Sequence, residues 1–211
     1  MARTKAALGL IAALALAPAA APAIAADAAN PDWPCVQRKV ATLTSAQMWD
    51  GPPVEDLIQW RDSEDIGRLI PALTSRRVPL EEAAAAIEAF AAAQPQGKRD
   101  DALKLLFAGL LSTINGDRAI VMSGIERFHQ RQRGRAVELE RQATAIRQLK
   151  DGARTDAAAR TELAAAEERY NWDARVFTER QQSLPLACEV PVLIEQRLFG
   201  LAREIRARMT D

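Results

Sequence analysis

The chain has 211 residues, with 28 basic and 28 acidic side chains, one histidine and two cysteines. This balance argues against nucleic acid as a partner, because proteins that bind it carry a basic surface. Aromatic residues make up 5% of the chain, whereas the strong helix formers Ala, Leu, Arg, Glu and Gln are abundant. Alternating strand patterns with hairpin turns are missing. We therefore expect an all-α protein.

Residues 1–26 have the three parts of a secretory signal peptide. Arg3 and Lys5 give a positive start, residues 6–17 (AALGLIAALALA) are apolar, and small residues follow. We expect cleavage after Ala25 or Ala26. The composition, rich in alanine and arginine, suggests a bacterium and hence the periplasm, or secretion beyond it.

The alternative for this segment is an uncleaved anchor, which needs about 20 apolar residues. Pro18 and Pro22 interrupt the stretch before that length is reached. After cleavage we expect no membrane span. Loss of Arg3 and Lys5 leaves 26 basic against 28 acidic side chains, a formal charge of −2.

The two cysteines, Cys35 and Cys188, lie near opposite ends of the expected mature chain. Export to an oxidising compartment and an even count favour one disulfide over two unrelated buried thiols. A CxxC motif is missing, so a thioredoxin-like redox site is not indicated.

Residues 27–53 are expected to form an extended lead-in, because Pro31 and Pro34 forbid a helix interior there. A short helix is expected around residues 45–49. Residues 54–116 then predict a bundle of short helices, beginning with one at residues 54–60.

The boundaries within this bundle follow from capping residues and breakers. Ser63 is a predicted N-cap for a helix ending near Pro71, and Pro79 begins another that stops at residues 95–97. The apolar residues 102–114 predict a buried core helix, which Asn115 and Gly116 are expected to end.

Residues 117–184 predict a long antiparallel helical hairpin, coiled-coil-like, turning at residues 150–152. Two proline-free stretches flank this turn, and both repeat with spacings of three and four. The first holds Val121, Ile125, Phe128, Gln132, Arg135, Leu139, Gln142, Ile146 and Leu149; the second holds Leu163, Ala166, Tyr170, Asp173, Phe177, Arg180 and Leu184. Two helices packed separately on the core are the alternative.

A turn at Gly152 pairs residues whose numbers sum to about 305. Phe128 would then face Phe177, and Arg135 would reach Asp173 beside Tyr170. Such a charge pair would set the register more than it would add stability. Residues 185–211 are predicted to form a C-terminal segment and an amphipathic helix, residues 192–209, that packs back on the bundle.

Catalytic and metal chemistry finds little support. His129 is the only histidine, and Glu126-x-x-His129 has the spacing of a di-iron ligand pair without the second histidine that such a site needs. A solvated helix face explains His129 better. Adjacent acids such as Glu64 and Asp65 fall in helix first turns, and no phosphate-binding glycine loop is present. We expect no catalytic residue, metal or cofactor.

Trp33, Trp49 and Trp60 lie within one short stretch beside prolines. Such residues commonly fill a core or cover a helix end. The alternative is an exposed aromatic interaction surface for a peptide or another partner.

The run NPDWPCVQRKV, residues 30–40, resembles the mature N-terminus of uncharacterised exported helical proteins of proteobacteria. The likeness covers about a dozen residues and implies export without implying an activity.

Together these features favour a non-enzymatic interaction or adaptor protein of the bacterial cell envelope, whose partner is another envelope protein. The hairpin, longer than a core requires, is the reason. A helical protein that binds a small ligand or peptide near the tryptophans is the alternative, and a carboxylate-type hydrolase comes third.

Overall fold

The computed structural model describes residues 30–152 and 156–210, and in these ranges the regular structure is entirely helical. The helices are α1 (Ser45–Met48), α2 (Glu64–Thr74), α3 (Leu80–Ala92), α4 (Arg99–Gly152) and α5 (Ala157–Arg206), with a 3₁₀ helix at Ile58–Asp62 between α1 and α2. The all-α expectation is confirmed. The proposed signal peptide lies outside the described residues.

Two very long helices, α4 and α5, dominate the fold and pack along each other. With 54 and 50 residues they extend about 80 and 75 Å. The short helices gather at one end, where α2, α3, the start of α4 and the end of α5 enclose the main core. We call this end the base.

The helix predicted at residues 54–60 is instead the 3₁₀ helix Ile58–Asp62. Three further helix ends were predicted wrongly. Helix α2 continues through Pro71 to Thr74, and α5 contains both Pro185 and Pro191. A proline in a helix interior removes one backbone hydrogen bond and costs about 3 kcal/mol. On both sides of Pro191, buried Cys188 and Leu198 hold α5 against the base, so packing outweighs this local cost.

The third error concerns Asn115, which lies within α4 instead of ending it. Its side-chain Oδ1 accepts from Leu43 N, and its Nδ2 donates to Leu43 O, both at 2.9 Å. The amide thus pairs with an extended backbone as a neighbouring strand would. Asparagine commonly ends helices, but here Asn115 stays in the helix and holds the backbone of Leu43, in the segment that crosses α4.

Residues 30–44 form this crossing segment, which we call the strap. It is largely irregular, as the prolines require, and it leads into α1 at the predicted position. Ser63 caps α2 as expected, its Oγ accepting from Ile66 N at 3.4 Å.

The apolar part of α4 would be long enough to cross a membrane by length and composition alone, with a mean hydropathy of 1.3 over 18 residues. Half of that window is buried in the protein interior. Leu103, Leu106, Phe107 and Leu110 are fully enclosed by α2, α3 and α5. This burial accounts for the apolar composition of the segment.

Gly109 lies where α4 packs tightly against its neighbours. A Cβ there would lie 2.6 Å from Ile70 Cδ1 and 3.1 Å from the ring of Trp60. We predict that Gly109→Ala lowers the free energy of unfolding by about 1–3 kcal/mol, because the methyl group must displace the buried Ile70 side chain and the Trp60 ring. Gly116→Ala is the matched control on the same helix, since a Cβ there meets nothing within 4 Å. It should gain about 0.5–1 kcal/mol in urea unfolding, and equal effects of the two changes would contradict the packing.

The two hydrogen bonds between Asn115 and the backbone of Leu43 give a second prediction. Asn115→Asp keeps the shape but replaces the donor to Leu43 O by a carboxylate oxygen, so unfolding should cost about 1–3 kcal/mol less. Asn171→Asp, on an exposed position of α5, is the control and should change stability by less than about 0.5 kcal/mol. Chemical denaturation of the three proteins measures both values.

Candidate functional site: the strap, the base pocket and the arm

The strap is fixed across α4 and α5 by the Cys35–Cys188 disulfide, which confirms the predicted pairing. The bridge joins residues 153 positions apart. Around it Trp33, Met122 and Ile125 form a second, smaller core. A disulfide of this kind fits a location outside the cytoplasm.

Polar contacts reinforce the bridge on both sides. Lys39 pairs with Glu126, and Asp32 Oδ1 lies 3.5 Å from Arg133 Nη1. Glu126 therefore forms an ion pair with the strap.

The Glu126-x-x-His129 spacing raised the question of a metal site. Among residues 30–152 and 156–210 no three His, Cys, Asp or Glu side chains are grouped to hold a metal.

The three tryptophans do not form a common exposed surface, contrary to that interpretation of the sequence. Trp33 is buried in the small core, with Nε1 donating to Gln37 O at 2.7 Å. Trp49 is buried in the main core, stacked on Phe107 with ring centroids 4.2 Å apart. Trp60 is half-buried and packs against that core under Arg61. The surrounding turns fold the rings inward and supply carbonyls for the buried indoles.

The far end of the hairpin forms what we call the arm, residues 134–152 and 156–183. Apart from the backbone bonds of α4 and α5, the side-chain hydrogen bonds and ion pairs that its described residues make stay within the arm. Ile146 is its one buried side chain among those described. Trp172 is 59% exposed and lies under Arg175, and Val137 is exposed as well.

The predicted register pair Arg135–Asp173 does not form. Asp173 Oδ2 instead accepts from Gln142 Nε2 at 3.0 Å, and Arg135 is exposed. The facing pairs Gln142–Asp173 and Lys150–Glu167 have numbers that sum to 315 and 317, not 305.

The register is therefore shifted by about ten residues along α5, or about 15 Å. It brings Arg135 opposite Arg180, which is also exposed. Like charges at facing positions turn outward, which explains why both leave the seam. The prediction assumed a turn centred on Gly152, whereas α4 continues to Gly152 and α5 begins only at Ala157, which accounts for part of the shift.

A cavity of about 510 Å³, the base pocket, opens between the strap, α1, α4 and α5. Its walls are mostly apolar and include Trp33, Met122, Val192 and Phe199. Arg118 of α4 also lines it, although the Arg118 side chain is only 3% exposed. Sequence reasoning missed this residue.

Arg118 is incompletely paired. Its Nη2 donates to Val40 O at 3.1 Å and lies 3.6 Å from Glu195 Oε2, whereas Nε and Nη1 are buried without a partner. Burial lowers the pKa of Arg118, and the nearby Glu195 carboxylate partly opposes that shift. A buried cation with unused donors is an unusual feature that an anion could complete.

Other charged groups have structural partners. Burial lowers the pKa of Arg197, whose Nε and Nη1 donate to the carbonyls of Leu73 and Val78 at 2.9 and 2.8 Å. The backbone N–H of Ser45 lowers the pKa of Glu55, which fastens the start of α1. This tie is present above the ordinary carboxyl pKa and is lost as the pH falls through the lowered value.

The fold and site thus define a disulfide-bonded, all-α protein with a pocketed base and a helical arm. Comparison with protein-family models, with curated proteins and with solved structures finds no match to this chain.

The disulfide allows a direct test of how much the strap contributes. A closed loop of this length is credited with about 4–5 kcal/mol in chain-entropy models, and native bridges deliver about 2–5 kcal/mol. We predict that reduction lowers the free energy of unfolding by about 2–5 kcal/mol in urea titrations. A Cys35→Ser, Cys188→Ser double variant should match the reduced protein and ignore reductant. Equal stability of oxidised and reduced wild-type protein would contradict the role assigned to the strap.

Proposed function

We propose that this chain is a non-enzymatic interaction protein of the bacterial cell envelope that presents its helical arm to another envelope protein. The observation that carries the proposal is the arm itself. The side chains of its described residues make hydrogen bonds and ion pairs only within the arm, so the arm contributes little to holding the base together. The arm extends at least about 28 Å, and ordering its residues costs conformational entropy. A binding role would explain why the protein keeps this extension.

The surface of the arm supports the same proposal. Trp172 is large, aromatic and 59% exposed, a combination that is enriched at interfaces. Val137, on the other helix of the arm, is also exposed. The two helices provide a rigid presentation for both side chains, because Gln142–Asp173 and Lys150–Glu167 join them across the seam.

Export belongs to the proposal as well. Residues 1–26 supply the expected signal peptide, the disulfide suits an oxidising compartment, and the resemblance of residues 30–40 to exported proteins of proteobacteria points the same way. We assign the mature protein to the periplasm or to the secreted fraction.

Site-specific photo-crosslinking in the periplasm tests the arm. A photoreactive residue is placed at Trp172 or at Val137, with Ile58 as the control. Ile58 is similarly exposed but lies on the 3₁₀ helix of the base. We predict a discrete protein adduct from positions 172 and 137 and none from position 58. Adducts from position 58 alone, or from none of the three, would contradict the proposal.

Trp172→Ala separates binding from folding. The exposed ring adds little to the core, so the free energy of unfolding should change by less than about 0.5 kcal/mol. We predict that the adduct from position 137 is nevertheless reduced at least tenfold, because an aromatic anchor carries much of an interface's energy. An adduct of unchanged yield would remove Trp172 from the interface.

A further inference from the structure

The guanidinium of Arg118 is the feature of the base pocket that the fold alone leaves unexplained. A guanidinium has five N–H groups, and three of them belong to Nε and Nη1. In Arg118 these two atoms are buried and make no hydrogen bond. Buried polar groups are nearly always paired, so unpaired ones mark places where strain or a ligand must be considered.

Arg197 shows how this protein satisfies an arginine whose role is structural. It also lies in the base, and both its Nε and its Nη1 donate to backbone carbonyls of neighbouring segments. Arg197 leaves only Nη2 buried without a partner, whereas Arg118 leaves both Nε and Nη1 unpaired. Its single hydrogen bond, from Nη2 to Val40 O, helps to hold the strap. This bond does not explain why Nε and Nη1 are buried as well.

The pocket beside Arg118 has the size and lining of a small-molecule site. Its volume of about 510 Å³ lies within the usual range of ligand cavities, and its walls are mainly apolar. Met48 and Met122 provide adaptable surface. Phe199, which lines the same cavity, is half exposed, as expected for an apolar wall that a ligand would bury.

The charges that line the pocket limit the ligand further. Arg38 and Arg118 are cationic and Glu195 is anionic, which leaves one net positive charge. Glu195 is 45% exposed and lies 3.6 Å from Arg118, too far for a close ion pair. A single negative charge attached to an apolar body therefore complements the pocket.

We propose that the base pocket binds the anion of a medium-chain carboxylic acid. The carboxylate pairs with the guanidinium of Arg118, whose Nε and Nη1 are covered in this structure and must turn towards the pocket to donate to it. The alkyl chain packs against Trp33, Met122 and Phe199. This function is separate from the arm and does not depend on the partner proposed for it.

Isothermal titration calorimetry of the oxidised protein with decanoate, below its micelle concentration, tests the proposal. Decanol supplies the same chain without the charge, and acetate supplies the charge without the chain. We predict one saturable decanoate site, at least tenfold weaker binding of decanol, and no measurable binding of acetate. Failure of decanoate to bind, or equal affinities for decanoate and decanol, would overturn the proposal.

Two variants assign the effect to Arg118. Arg118→Met should weaken decanoate binding at least tenfold, to the level of decanol, because a charge-assisted hydrogen bond is lost. Arg135→Met, on the exposed arm, is the matched control and should bind decanoate as the wild type does. Unchanged affinity in Arg118→Met would overturn the proposal.

For Glu195→Gln we expect the opposite effect, tighter binding of decanoate. This variant also keeps the proposal testable if Arg118→Met does not fold. It removes the carboxylate that competes for Arg118, so decanoate should bind severalfold more tightly. If Arg118→Met does not fold, Glu195→Gln decides the question. An affinity equal to or below that of the wild type would then overturn the role of Arg118.

Discussion

The Cys35–Cys188 bridge is the constraint on which the rest of the structure depends. It holds an irregular, proline-rich segment against the two long helices, α4 and α5. With the strap in place, Trp33 completes the small core, Lys39 reaches Glu126, and Val40 meets Arg118. The pocket exists because the strap forms one of its walls. The same bridge lies between the two prolines of α5 and keeps that helix on the base where its own backbone bonding is interrupted.

The helical class, the disulfide and the Ser63 cap could be predicted, because each depends on composition, compartment or a local hydrogen bond. The helix ends at Pro71, Asn115 and Pro185 could not. In each case a local preference for breaking the helix is outweighed by contacts with distant parts of the chain, which sequence position alone does not reveal. The hairpin seam was largely correct, but its register was wrong, in part because the turn was placed at Gly152 while α5 begins only at Ala157.

Arg118 escaped prediction for a related reason. Arginines are common in this chain, and most of them lie on solvated faces, so one more basic residue near the middle carried no signal. Its spacing does hold a clue: it precedes Val121 and Met122 by three and four residues, on the face that the helix buries. A charge on an apolar face is a stronger indication of a site than a charge in a polar run. The three tryptophans were a weaker indication of a site, since two of them are buried in separate cores.

Base and arm thus differ in what holds them: the base has two cores and a covalent strap, and the arm has one helix seam. Amide hydrogen exchange of the oxidised protein tests this division most directly, because local opening costs least where few buried contacts exist. The account predicts that residues 103–125 and 198–205 exchange slowest, and that residues 135–150 and 160–180 exchange orders of magnitude faster. Uniform protection along the whole of α4 would contradict it.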